Sequence, residues 1–263
     1  MNIGLIIIGD EILSGKRQDK HLAKVIELLT ARGLALSWAR YVGDERPRIT
    51  QALRDAFVGG DLVFSCGGIG ATPDDHTRQC AAAALGVPLE LHPEAKALIV
   101  QRMRDVAAEQ GEPFEPDRAD NLHRLNMGVF PQGAAIIPNP YNRIPGFSVG
   151  DVHFVPGFPV MAWPMIEWVL DQRYAHLYGG GRTFERSLIV RGSMEATLTP
   201  LMEEIEARFP GVKVFSLPSV DHPVHGRHIE LGVKSGADPA EAFAALRAGL
   251  ERLGATLGPE VVR

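Results

Sequence analysis

The order of apolar and polar positions marks out the first half of the chain. Ile3–Ile8 is an unbroken apolar strand. After the polar stretch "GDEILSGKRQ", a helix is predicted from Asp19 to Arg32, with Leu22, Val25, Ile26 and Leu29 on one face and Gly33 as its stop. Leu34–Val42 predicts a second strand, Ile49–Phe57 a second helix, Asp61–Cys66 a short buried strand and Asp75–Leu85 a third helix ended by Gly86. Strands this uniformly apolar, alternating with helices, predict a mostly parallel sheet covered on both faces, a three-layer α/β/α class. Ligands in such folds lie beyond the carboxyl ends of the strands. The Gly-rich loops at Gly9 and Gly67 both leave those ends.

After a helix over Glu94–Gln110 the chain becomes rich in Pro and Gly. Phe147–Val155 reads as a hairpin about Gly150-Asp151, and a helix through Met161–Leu170 closes the region. "YGGGR", Tyr178 to Arg182, reads as a linker. Beyond it the pattern is strand Phe184–Val190, helix Leu198–Phe209, strands Val212–Leu217 and His228–Val233, and helix Ala240–Leu253. Two domains follow, an α/β domain over 1–178 and a small α+β module over 183–263.

Composition sets limits on function. With 263 residues there is ample material for a core. A net charge of −5 without a Lys/Arg block argues against a nucleic-acid surface. No apolar run approaches the roughly 18 residues of a membrane span. The start lacks a basic segment of the signal-peptide kind. Two cysteines, Cys66 and Cys80, suit a reducing compartment, so the expected address is cytoplasmic.

The first loop superficially resembles a nucleotide-binding P-loop, G-x-x-x-x-G-K-[ST]. Gly9 and Gly15 are one residue too far apart, and Arg17 stands where the magnesium-holding hydroxyl belongs. Asp10 and Glu11 would also face phosphate as bare negative charge. They suit a loop in which a divalent cation bridges carboxylates to phosphate; equally, they suit a solvated turn. In the second loop, "CGGIGATPDDHT", Gly67, Gly68 and Gly70 let backbone N–H groups approach an anion. Thr72 is expected to cap the following helix, with Pro73 first in the helix and Asp75 three residues beyond the cap. Asp74 and Asp75 would complement the helix dipole even without a ligand.

"GDEILSG", then "VGDE", then "GGIGATPDDHT", in this order and spacing, resemble the molybdopterin-binding domain superfamily, with the nearest likeness in the N-terminal region of CinA-like proteins. The likeness continues through "FPQGAAIIPNPYNRIPGF" and "FVPGFP", and the small module resembles the KH-type domain that follows in CinA-like chains. The resemblance implies a domain that binds a pterin or nucleotide diphosphate, with metal-dependent cleavage of ADP-ribose as the favoured activity. Molybdopterin binding or adenylylation, and a non-catalytic binding module, are the alternatives. It implies metal ligation (Mg, Mn or Co) by Asp10, Glu11 and Asp75, and a base or water-orienting role for Asp44 or Asp74, with Asp10 and Asp75 foremost among the catalytic candidates. It also implies ligand contacts at Gly9, Gly67, Gly68, Gly70, Thr72, Thr77 and Asn139. Lys16, Arg17 or Arg143 would neutralise a leaving phosphate. Related proteins form dimers and trimers, so a homo-oligomer is expected. The chain departs from the family pattern at "RQDKH", at Asn126-Met127-Gly128, at "YNRIPGF" and at Val160, all near the expected pocket.

Other motifs are set aside. "DHPVHGRH" carries His222, His225 and His228 at metal-like spacing, but Pro223 and Gly226 break any helix, so the rings need not converge and a polar hairpin is expected. Cys66 has no base fixed beside it by spacing and reads as a small buried residue. His21 and His76 flank the pocket and suit ligand, surface or capping roles. The small module has no G-x-x-G loop of the RNA-clamping kind, which favours packing or oligomerisation.

Overall fold

The computed structural model describes residues 1–180 and 184–262. Part of the expected linker (Arg182 with its neighbour at 181) and the first residue of the small module at 183 lie outside the described residues. The chain divides into two compact units, Met1–Tyr178 and Gly179–Arg263.

The first unit opens with β1 (Ile3–Ile8), a single helical turn α1 (Asp10–Leu13), α2 (His21–Thr30), β2 (Trp38–Val42), α3 (Arg46–Gly59), β3 (Leu62–Cys66) and α4 (Thr77–Leu85). It continues with β4 (Leu89–Leu91), α5 (Pro93–Gln110), α6 (Ala119–Leu125), β5 (Val129–Pro131), β6 (Ala135–Ile137), β7 (Gly146–Val149), β8 (Val152–Val155) and α7 (Pro159–Arg173). The main sheet has the order β2-β1-β3-β8-β7-β6. Its first three pairings are parallel and its last two antiparallel.

Side-chain alternation along β1 explains the layers. Ile3, Leu5 and Ile7 pack toward α2 and α7, against Val25, Leu29, Met165 and Val169. Ile6 and Ile8 pack toward α3 and α4, against Ile49, Leu53 and Ala81. Every residue of β1 and β3 is buried, as central parallel strands must be when helices cover both faces. A stack of Phe130, Phe147 and Phe154, with centroids 4.7 and 4.3 Å apart, fills the second layer.

Several boundaries differ from the sequence expectation, each for a local reason. Helix α2 begins at His21 because the Asp19 carboxylate accepts from the backbone N–H groups of His21 and Leu22, at 2.7 and 3.1 Å. Helix α4 begins at Thr77, not Asp75, and Thr72 does not cap it. The polarity is reversed: Asp75 Oδ2 accepts from the Thr72 backbone N–H at 2.8 Å and from its hydroxyl at 2.5 Å.

The second unit comprises β9 (Phe184–Arg191), α8 (Glu195–Arg208), β10 (Lys213–His222), β11 (Gly226–Ser235), α9 (Ala240–Arg252) and β12 (Thr256–Val262). These strands form an antiparallel sheet in the order β10-β11-β9-β12. Leu198, Leu201, Phe243, Leu246 and Leu250 of the helices cover Leu188, Val190, Leu231 and Val233 of the sheet. The sequence reading missed β12, whose pattern Gly258-Pro259 interrupts and whose register shifts between Leu257 and Glu260. The histidine-rich stretch forms the expected hairpin between β10 and β11. Contrary to expectation its rings do gather, with centroids 5.0 to 5.5 Å apart. His222 Nδ1 is engaged by the backbone N–H groups of Val224 and His225. Among the described residues no set of three His, Cys, Asp or Glu side chains is arranged to hold a metal, nor is any helix long and apolar enough to cross a membrane.

A buried polar chain ties β7 and β8 to the end of α7. The Tyr174 hydroxyl gives its proton to Asp151 at 2.6 Å, so His153 Nε2 must donate to the Tyr174 oxygen at 2.8 Å. The neutral ring then accepts from the Ser148 hydroxyl through Nδ1, at 2.7 Å. Burial, reinforced by nearby Arg173, lowers the His153 pKa from 6.5 to about 3. Because the folded value lies below the unfolded one, this contribution to stability is complete above about pH 6.5 and is lost as the pH falls toward 3. One proton changes stability by about 1.4 kcal/mol per pH unit. Denaturant unfolding of the native protein should therefore lose roughly 2 kcal/mol more between pH 7 and pH 5 than that of His153→Gln. Parallel pH profiles for the two proteins would contradict the buried neutral ring.

Candidate functional site

The loops after β1, β2 and β3 meet at the carboxyl edge of the sheet. Asp10 and Asp44 lock the first two together. The Asp10 backbone N–H donates to Asp44 Oδ2 at 2.9 Å, and the Asp44 N–H to Asp10 Oδ1 at 3.1 Å. Gly9 N adds a bond to Val42 O at 3.0 Å. These three residues thus serve first to fix loop geometry.

The loop after β3 is shaped by four backbone carbonyls that are each held from behind. Thr77 is fully buried; its hydroxyl donates to Gly67 O at 3.0 Å and its backbone N–H to Gly68 O at 2.9 Å. Arg78 donates to Gly70 O at 2.6 Å, and His123 Nε2 to Ala71 O at 2.9 Å. In a planar trans peptide the N–H points opposite to the C=O. Pinning these oxygens therefore turns the N–H groups of Gly68, Ile69 and Ala71 away from the residues that do the pinning. The backbone permits this only with glycine: Gly67 and Gly68 have φ of 107° and 68°, and an added Cβ would lie 2.3 Å from Ile8 O and 2.2 Å from Thr77 Oγ1 respectively.

A cavity of ≈ 370 Å³ lies against this loop. Of the sequence candidates, Gly9, Glu11, Asp44, Gly67, Gly68, Gly70, Thr72, Asp74, Asp75 and Asn139 line it. Ile69, Met127, Ile144, Phe158 and Met161 give the lining an apolar part. Four carboxylates and one guanidinium, Arg17, contribute to the lining. Burial raises the Asp44 pKa above its usual value, and the negative charges of Asp10, Glu11 and Asp74 add to the rise.

Other candidates fall outside the lining. Thr77 supports the loop from below. Arg143, in the left-handed region at φ 64°, turns its side chain to Asp105 at 3.2 Å instead of toward the cavity. Asn139 lines the wall, but its amide is committed to the turn: it donates to Asn142 Oδ1 and Ile144 O and accepts from the Tyr141 N–H. Of the departures from the family pattern, Arg17, Met127, Asn142, Ile144 and Pro145 enter the cavity lining, whereas Tyr141 and Val160 are exposed and do not. His21 is buried against Gly157 O at 3.1 Å, beneath a neighbouring recess of ≈ 300 Å³. Burial pushes the Cys66 thiol pKa well up, which agrees with an inert core residue. The sequence reading missed Arg78 and His123. Arg78 sits next to the Asp-x-Thr motif, whereas His123 is 52 residues from the carbonyl it holds, so only the fold reveals its role.

The acidic side chains of the lining offer carboxylate oxygens, which suit a hard cation. Such a cation, of the magnesium kind, takes one or two carboxylates and completes its shell with water and ligand phosphate; it needs no protein cage.

Comparison with known proteins agrees with the fold. Residues 4–176 match the model of a family described as a probable molybdopterin binding domain. A protein of Pyrobaculum arsenaticum is 32% identical over 260 residues, covering 95% of this chain and 92% of that one. A CinA-like protein of Syntrophotalea carbinolica is 32% identical over 220 residues, 80% of this chain but 51% of the relative, so the match spans about half of that longer protein. Among solved structures, the protein CinA of Thermoplasma acidophilum, described as of unknown function, superposes with a TM-score of 0.55 at 28% identity, over 65% of this chain and 98% of its own. With two thirds of its length matched by the family model, on a sheet and loop arrangement of the same class, the chain belongs to the molybdopterin-binding domain family and is CinA-like.

Proposed function

We propose that the α/β unit binds a ring-bearing phosphate compound together with a divalent cation, and that it hydrolyses the diphosphate of a nucleotide such as ADP-ribose. The observation that carries this reading is the mixed lining of the cavity. The loop offers backbone N–H groups turned away from the groups that pin its carbonyls, as an anion requires. Met127, Met161 and Phe158 of the same lining suit a flat heteroaromatic ring.

The acids explain the cation. Phosphate against Glu11, Asp44, Asp74 and Asp75, with Arg17 as the sole cationic side chain of the lining, is electrostatically unfavourable unless positive charge arrives with it. Glu11 and Asp75 would hold Mg²⁺, Mn²⁺ or Co²⁺ alongside the ligand's own oxygens. When bound, the ion supplies charge neutralisation and a more acidic water. The chain's own groups do the rest. The loop N–H groups fix one phosphate, and Arg17 faces the other. Asp44, made a better base by its raised pKa, takes the proton of the attacking water. The water oxygen forms the new P–O bond as the bridging P–O bond breaks, giving AMP and ribose phosphate from ADP-ribose. Asp10 acts through Asp44 by holding its loop.

A second reading, pterin binding without cleavage, draws support from the apolar residues of the lining and from the family's description as a probable molybdopterin binding domain.

Incubation with ADP-ribose, FAD or NAD and each metal should release AMP only when metal is present. Asp44→Asn should lower kcat by about 100-fold or more while remaining folded. Failure to form AMP from any of the three would refute hydrolysis of these compounds; tight binding of a pterin phosphate in the same preparation would then favour the second reading. Both readings require the loop. Gly68→Ala should weaken ligand binding, by titration calorimetry, on the order of tenfold or more. Unchanged affinity in that variant would show that the loop is not the phosphate site.

A further inference from the structure

Behind the loop lies a second cavity, of ≈ 520 Å³, with the opposite electrostatic character. Arg46, Arg78, His76, His123 and Gln79 contribute to its lining, and Asp75 is the single carboxylate among the lining residues. Arg78 is 4% exposed. Its hydrogen bonds go to two neutral carbonyls, those of Gly70 and Asn126. Asp75 acts on it only through space, since that carboxylate is engaged by Thr72. Among the described residues neither Arg78 nor Arg46 has a carboxylate within ion-pair distance. A buried guanidinium without a counter-charge is costly, and its planar N–H array suits an oxyanion. Arg46 stands at the start of α3, exposed, with no side-chain hydrogen bond among the described residues.

We propose that this rear cavity is a second binding site, for a phosphate group, seated between Arg46 and Arg78 with His76 beside it. It is distinct from the front cavity, and it does not depend on the hydrolytic reading. The Gly70–Asp75 segment separates the two, so an anion on Arg78 would press on the residue that holds Gly70 O. Rear-site occupancy is thereby coupled to the shape of the front loop. The phosphate comes either as a free ion or as the end of a larger nucleotide.

Calorimetric titration with inorganic phosphate in EDTA tests the site, because without metal the acidic front cavity repels phosphate. The expected result is saturable binding of one phosphate per chain. Arg46→Gln, an exposed substitution, should weaken it on the order of tenfold or more, and Arg17→Gln in the front cavity should leave it unchanged. Arg78→Lys keeps the charge but loses the fork and should also weaken it; a thermal melt confirms that this variant is folded. AMP is the second ligand. AMP binding that depends on Arg46 alone would match a rear-site phosphate, and binding that depends on both Arg46 and Arg17 would make that phosphate the end of a spanning nucleotide. No phosphate binding in EDTA, or binding lost in Arg17→Gln and untouched by Arg46→Gln, would overturn the proposal.

Discussion

The site depends on the planarity of four peptide groups. Thr77, Arg78 and His123 hold the carbonyls of Gly67, Gly68, Gly70 and Ala71 from behind, and each fixed C=O dictates where the attached N–H points. An unconstrained glycine-rich loop would lose much conformational freedom on ordering around a ligand. Here that loss has already occurred during folding, because the buried Thr77 and Arg78 belong to the first turn of α4 and pack with the core. Preorganisation of this kind is what makes a backbone anion site effective.

The acids around this loop give the site its second property. On the proposed reading Glu11, Asp44, Asp74 and Asp75 would oppose an anion on the loop; burial raises the Asp44 pKa, and the charges of Asp10, Glu11 and Asp74 add to that rise. A ligand that brings a hard cation satisfies both sets of groups at once. Asp75 stands where they meet, because its carboxylate also occupies the N–H and hydroxyl of Thr72. On the proposed reading, drawing Asp75 toward a cation would release those donors to a phosphate, so that the two would bind cooperatively.

Much of this was legible in the sequence. The continuous apolar runs of β1 and β3 gave away a two-sided parallel sheet, and the Gly-Asp and Gly-Gly-x-Gly turns at their ends marked the crevice. What escaped has a physical cause in each case. Arg78 and His123 look like surface residues until the packing of α6 buries or aims them. Arg143 looked like a phosphate ligand, but its left-handed backbone and the nearby Asp105 turn it away. Thr72 and Asp75 can each cap the other, and local pattern does not say which does. The last strand was hidden by Gly258-Pro259, since a bulge restores the pairing that the pattern denies.

The most direct measurement concerns Thr77, which touches the loop but not the cavity. Thr77→Val keeps the shape of the side chain and removes the hydroxyl that holds Gly67 O. Titration of both proteins with ADP-ribose and Mg²⁺ should show binding to the variant weakened about tenfold, with the thermal melt showing it folded. Equal affinities would contradict the claim that pinned carbonyls create the phosphate site.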